Sequence, residues 1–265
     1  MNVFRWSDER ECETILRSLM APWLDEIVVQ AFLDEPPDTI VSDDLSWLEK
    51  VIKKALGKKC DNLHDLLGYQ LRSHYQAVVV FHGCRPISTE SYQALGVLPS
   101  NPEWLKNTAR DLFGNSASVL EAIDHLTKSD PGCSLSYEEH NAGRCYFVLS
   151  YDHLLNSCGH YLLHGSEYLF CIANSIGKSH ILRNRGRATV IECMLPASEL
   201  PPWFFKELGG NMVERMFTRL LDPSCAAEEL NFGFSIKNKV PPENIIQFHY
   251  PTKIPNPHNR MMRED

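Results

Sequence analysis

The sequence predicts an α+β fold with an N-terminal helical layer over residues 1–75, a sheet-containing domain over 76–252 and a loose tail over 253–265. Three observations lead there. The front third repeats apolar residues at helical spacing. Ala77-Val78-Val79-Val80-Phe81 is a compact β-branched run followed by His82-Gly83-Cys84-Arg85-Pro86. Further apolar runs bounded by glycine and proline recur down to Tyr250.

In the helical layer, Cys12, Ile15, Leu16, Leu19 and Met20 share a helical face, with Ser7 as a candidate cap and Pro22 as a break. Trp23, Leu24, Ile27, Val28, Ala31 and Phe32 form a second stripe, stopped by Asp34-Glu35-Pro36-Pro37. Further helices are expected over 43–56, ended by Gly57, and over 61–75. These stripes read as core rather than as a cofactor box.

From residue 77 the pattern is mixed. The strand ending at His82 leads to a short helix closed by Leu95-Gly96-Val97-Leu98-Pro99. Helices follow over 102–127, with a break at Phe113-Gly114-Asn115 and a restart capped by Ser116 or Ser118, and Ser129-Asp130-Pro131-Gly132 reads as a turn. Gly143–Ser150 is a strand, and a helix carrying His160, Tyr161, Ser166, Glu167 and Tyr168 follows it. Ala188–Leu195 is a strand, 209–221 a helix, and 232–236 and 245–250 are the closing strands.

Composition narrows the chemistry. The chain of 265 residues is long enough to bury a substantial core, and its 43% hydrophobic and 23% charged residues are ordinary for a soluble globular protein. A net charge of −8 argues against a general electrostatic grip on nucleic acid and leaves a local basic groove open. No apolar run is long enough for a bilayer and the first residues carry no signal pattern, so no membrane association and a cytoplasmic location are expected. Nine cysteines with no Cys-x-x-Cys pair read as reduced core thiols, and no metal is expected. His160 and His164 have metal-ligand spacing but lack the acidic partner of a zinc peptidase; Cys84 beside His82 leaves a thiol nucleophile as an alternative.

Phe81-His82-Gly83-Cys84-Arg85, the Leu95–Pro99 turn, the Gly-x-x-Tyr-Phe strand at 143–147 and the closing Phe-Ser-Ile and Val-Pro-Pro-Glu-Asn-Ile-Ile segments, in that order, resemble an ADP-ribosyltransferase domain. The likeness is to the diphtheria-toxin-like branch that includes the poly(ADP-ribose) polymerases, with its His-Tyr-Glu site, and it covers residues 76–250. It implies a split antiparallel sheet and NAD as co-substrate. His82 would bond a ribose hydroxyl, and Gly83 would offer its backbone to the nicotinamide amide. Tyr146 would stack on the nicotinamide ring, with Tyr161 or Tyr168 over the other face. Ser166 would add an amide contact and Arg85 would pair with the pyrophosphate.

The family's acid stands at the start of the penultimate strand. Here that position falls near Asn231 or Phe232, and the closest acids are Glu228 and Glu229. Glu229 is the first choice for the charge that stabilises a cation-like sugar, with Glu167 as the second candidate. The implied activity is transfer of ADP-ribose to a macromolecular acceptor, protein or nucleic acid, as in microbial toxins and defence effectors, which are often held by an inhibitor or antitoxin protein. The alternatives are a catalytically silent module that binds a nucleotide or protein, and an RNA 2'-phosphotransferase-like enzyme. The latter calls for clustered arginines, for which Arg85, Arg110, Arg144, Arg183, Arg185 and Arg187 are available. The front layer would shield the site, grip the target or bind an inhibitor.

Overall fold

A computed structural model describes residues 1–6, 9–128, 136, 141–223 and 231–255. Among them are twelve α-helices and six strands, an α+β arrangement. The chain divides into two compact units, Met1–Val79 with Pro196–Phe232, and Val80–Leu195 with the residues from Gly233 onward.

The first unit contains β1 (Val3–Phe4), α1 (Glu9–Leu19), α2 (Glu26–Asp34), α3 (Ser46–Leu56) and α4 (Leu63–His74). Asp25 caps α2 by accepting the Val28 N–H at 3.0 Å, and α3 ends at Gly57 as its pattern predicts. β1, too short to show a period, pairs in parallel with the first residues of β2 (Ala77–Cys84), Val3 opposite Ala77.

The helix expected at 209–221 is longer, Phe204–Leu221 (α12), and belongs to this unit rather than to the sheet domain, which corrects the 76–252 boundary. The cause is packing. α12 lies along α4, where glycines face the opposing helix: a Cβ on Gly209 would stand 3.1 Å from Leu67 Cβ, and one on Gly68 would stand 3.0 Å from Lys206 Cα. Its Phe217 ring meets Phe32 edge-on at 4.7 Å and Trp47 at 5.3 Å, so three separate stretches share one aromatic core.

The second unit is built on the sheet order β5-β3-β2-β4-β6, with β3 Cys145–Val148, β4 Thr189–Pro196, β5 Gly233–Ile236 and β6 Ile245–His249. β3 runs antiparallel to both β2 and β5, with Phe81 opposite Val148 and Tyr146 opposite Ser235; β6 is antiparallel to β4. β2 is buried throughout except at His82, which explains its continuous apolar run. Around the sheet lie α5 (Glu90–Leu95), α6 (Pro102–Phe113), α7 (Ala117–Thr127), α8 (Tyr151–Asn156), α9 (His160–His164), α10 (Glu167–Ser175) and α11 (Ser179–Arg183).

The single helix expected over 160–168 is two, because Gly165 stands between them at φ +82 and Ser166 restarts the chain as the cap of α10. Ser7 and the turn at 129–132 lie outside the described residues. No helix among the described residues is long and apolar enough to cross a membrane.

Gly96 fixes the connection after α5. Its φ is +83, and an added Cβ would fall 1.8 Å from the Val240 carbonyl oxygen. That carbonyl is one half of the reciprocal Val97–Val240 bridge, with both N–H···O distances at 2.9 Å. Gly96→Ala is therefore expected to destabilise the protein by about 3 kcal/mol through the clash and the disfavoured φ. A urea-unfolding midpoint equal to that of the parent protein would refute this account.

Candidate active site

The site forms where β2 emerges from the core. His82 is the one residue of that strand left partly exposed, and its Nδ1 donates to the backbone carbonyl of Tyr146 on β3 at 2.9 Å. That bond selects the tautomer. In the neutral ring Nδ1 carries the proton and Nε2 keeps its lone pair. Burial pushes the His82 pKa below the ordinary histidine range, partly opposed by the bond to Tyr146.

His82, Gly83, Arg85, Tyr146, Tyr161, Ser166, Glu167 and Tyr168 all line one cleft of about 930 Å³. That volume falls within the roughly 300–1,000 Å³ of small-molecule sites. The Tyr146 hydroxyl donates to Asn141 Oδ1 at 2.7 Å, and the Tyr161 hydroxyl donates to Glu167 Oε2 at 3.2 Å. Both phenols are raised above their ordinary range, chiefly by burial and additionally by the Glu167 carboxylate. Glu167 thus places its negative charge beside two tyrosines of the cleft. It sits in the first turn of α10, where a carboxylate is favoured by the helix dipole.

Gly83 stands in a tight place within the protein itself. A Cβ there would approach Leu154 Cδ1 at 3.1 Å and Tyr161 Cβ at 3.2 Å, so the missing side chain lets α9 bring Tyr161 against the strand. Ser166 has a local duty, accepting the Leu169 N–H at 3.4 Å as the cap of α10. Tyr168 is 3% exposed and belongs to the same buried cluster as Ala109, Phe113, Val119 and Ile172, a core position at the cleft wall.

Arg85 carries a structural duty that the sequence did not show. Its Nη1 donates to Leu162 O at 3.0 Å, Nε to Arg185 O at 2.9 Å and Nη2 to Arg183 O at 2.5 Å. The guanidinium ties Leu162 of α9 to the end of α11 and the loop after it, while the residue also lines the cleft. Arg85→Ala is expected to lower stability by about 1–2 kcal/mol, since it removes charge-assisted bonds, two of them to exposed carbonyls that water can satisfy. The check is thermal unfolding, and a midpoint within a degree or so of the parent would contradict the role.

Cys84 is not placed as a nucleophile. Its buried thiol donates to Thr189 O at 3.6 Å, and burial pushes its pKa up to about 12. His160 leans on Tyr161 and His164 stacks on Phe170 at 4.1 Å. Among the described residues no group of three or more His, Cys, Asp or Glu is arranged to hold a metal ion.

Glu228 and Glu229 lie outside the described residues. Asn231 to Ile236 contribute nothing to the cleft lining, so the carboxylates lining the cleft among the described residues are Glu167 and Asp111. Asp111, Asn141 and Trp104 were missed in the sequence. Trp104 and Asp111 stand on α6 and Asn141 just ahead of β3, and only the fold brings them to the cleft. Compared with protein-family models, curated proteins and solved structures, the chain matches none.

Proposed function

We propose that the protein is an NAD-dependent ADP-ribosyltransferase acting on a macromolecular acceptor, in the manner of a toxin or defence effector. The observation that carries this reading is the gathering of His82, Gly83, Tyr146, Tyr161 and Glu167 from separate stretches into one cleft of nucleotide-binding size. NAD supplies the glycosidic bond to nicotinamide, whose cleavage frees ADP-ribose for transfer.

The chain's own residues divide the work. His82 Nε2 accepts from a sugar hydroxyl, because the ring is neutral and its other nitrogen is occupied. Tyr146 and Tyr161 offer aromatic faces to a planar ring. Glu167 supplies fixed negative charge where positive charge develops, inside a cleft that strengthens it relative to water. An acceptor nucleophile forms the new bond, and its proton leaves to a carboxylate or to solvent.

A second reading, a silent nucleotide-binding module, draws support from the start of β5, where Asn231, Phe232 and Gly233 provide no acid. The experiment is nicotinamide release from NAD by the purified protein, with adenylate-labelled NAD and cell lysate as acceptor source. Release together with label in a macromolecular fraction supports the transferase. Saturable binding without release favours the silent module. With neither, both readings fall.

A further inference from the structure

The stretch Arg183-Asn184-Arg185-Gly186-Arg187, from the last residue of α11 into the loop before β4, holds three exposed arginines in a protein of net charge −8. None has an ion-pair partner among the described residues. The loop is nevertheless pinned. Arg85 grips the carbonyls of Arg183 and Arg185, and the Arg187 N–H donates to Pro86 O at 2.9 Å. Gly186 sits at φ +69, where a Cβ would stand 2.5 Å from Pro86 O, so the chain passes directly over the Arg85–Pro86 backbone. The Arg187 guanidinium is held 3.9 Å over the Tyr250 ring. Arg185 lines the His82 cleft, as does Trp104, a residue 63% exposed.

Fixed cations without counter-charges suit a ligand that brings several negative charges of its own. Guanidinium forks match phosphate oxygens, and alternate arginines on a rigid loop match repeated phosphates better than one isolated anion. An open indole in the same cleft provides a face on which a base can stack. The cleft has room for one or two nucleotides and not for a duplex, and a base in a duplex is held in its stack. We propose that this loop is a phosphate-binding rim for single-stranded nucleic acid, and that the strand it holds is the acceptor; the acceptor half rests on the transferase reading above.

The probe is a fluorescein-labelled oligouridylate of about 20 nucleotides, titrated by anisotropy at several salt concentrations. Three phosphate contacts give a slope of log affinity against log salt near −2, about −0.7 for each contact. Replacing Arg183, Arg185 and Arg187 together by glutamine is expected to flatten that slope and weaken low-salt binding at least about tenfold. All three side chains are exposed, so the variant keeps the fold.

No binding by the parent protein, or equal binding by the variant, overturns the proposal. So does polyglutamate binding as tightly as the oligonucleotide, which would make the partner an acidic polypeptide. Weakened NAD binding with oligonucleotide binding intact would assign the arginines to the co-substrate and overturn it as well. The titration needs no NAD, so the two readings fail separately. Nicotinamide release without oligonucleotide binding removes the rim alone. Oligonucleotide binding without release keeps the rim and removes the acceptor role with the transferase.

Discussion

His82→Ala is expected to cut nicotinamide release about 100-fold, equivalent to about 2.7 kcal/mol of transition-state stabilisation. The side chain stands near the end of the central strand and is locked by Tyr146 O, so its acceptor nitrogen is placed before any ligand arrives. Alanine removes that acceptor and frees a carbonyl at the cleft edge, where water can replace the lost partner. Thermal stability should therefore change little while turnover collapses. A folded His82→Ala protein with full activity, joined by an equally active Tyr146→Ala, would remove the site assignment.

The same histidine carries a pH signature. Its folded pKa lies below that of the free side chain, with burial as the main cause. The unfolded chain then binds the proton more readily, so the stability contribution is fully present above the unfolded pKa near 6.5 and is lost as pH falls through the folded value. Acceptor function follows the folded value, so NAD affinity should hold through about pH 6.5 and fall only at lower pH. His82→Ala should lose that acid limb.

How much of this was legible follows from distance along the chain. His82 and Gly83 stand in one uninterrupted strand, and Tyr146 stands in another, so local pattern sufficed for them. The structural duty of Arg85 was not legible because the carbonyls it grips belong to Leu162, Arg183 and Arg185, far along the chain and invisible to spacing. The domain boundary failed for a similar reason: nothing local tells that Phe217 completes a core with Phe32 and Trp47. The break at Gly165 was readable in principle, since a glycine followed by serine is a stop and a cap in succession. The apolar stripe running across it concealed the break.

Glu167→Gln is the sharper test of the chemistry, with an expected loss of about 100-fold or more in kcat and a much smaller change in KM. Glutamine keeps the length of the side chain and an oxygen that can accept from Tyr161, so the geometry of the 3.2 Å contact survives while the charge does not. The helix-end position adds a stability loss of only about 0.5 kcal/mol, too small to account for a collapse in turnover. A split of that kind separates electrostatic stabilisation from positioning, because a positioning residue replaced by its isostere would leave kcat near the parent value. Tyr161→Phe provides the complement. It removes the hydroxyl that orients Glu167 and keeps both the ring and the charge, so its effect should be the lesser one, about tenfold. If Glu167→Gln turns over at the parent rate, the charge must come from elsewhere. Glu229→Gln, alone and together with Glu228→Gln, then becomes the decisive pair.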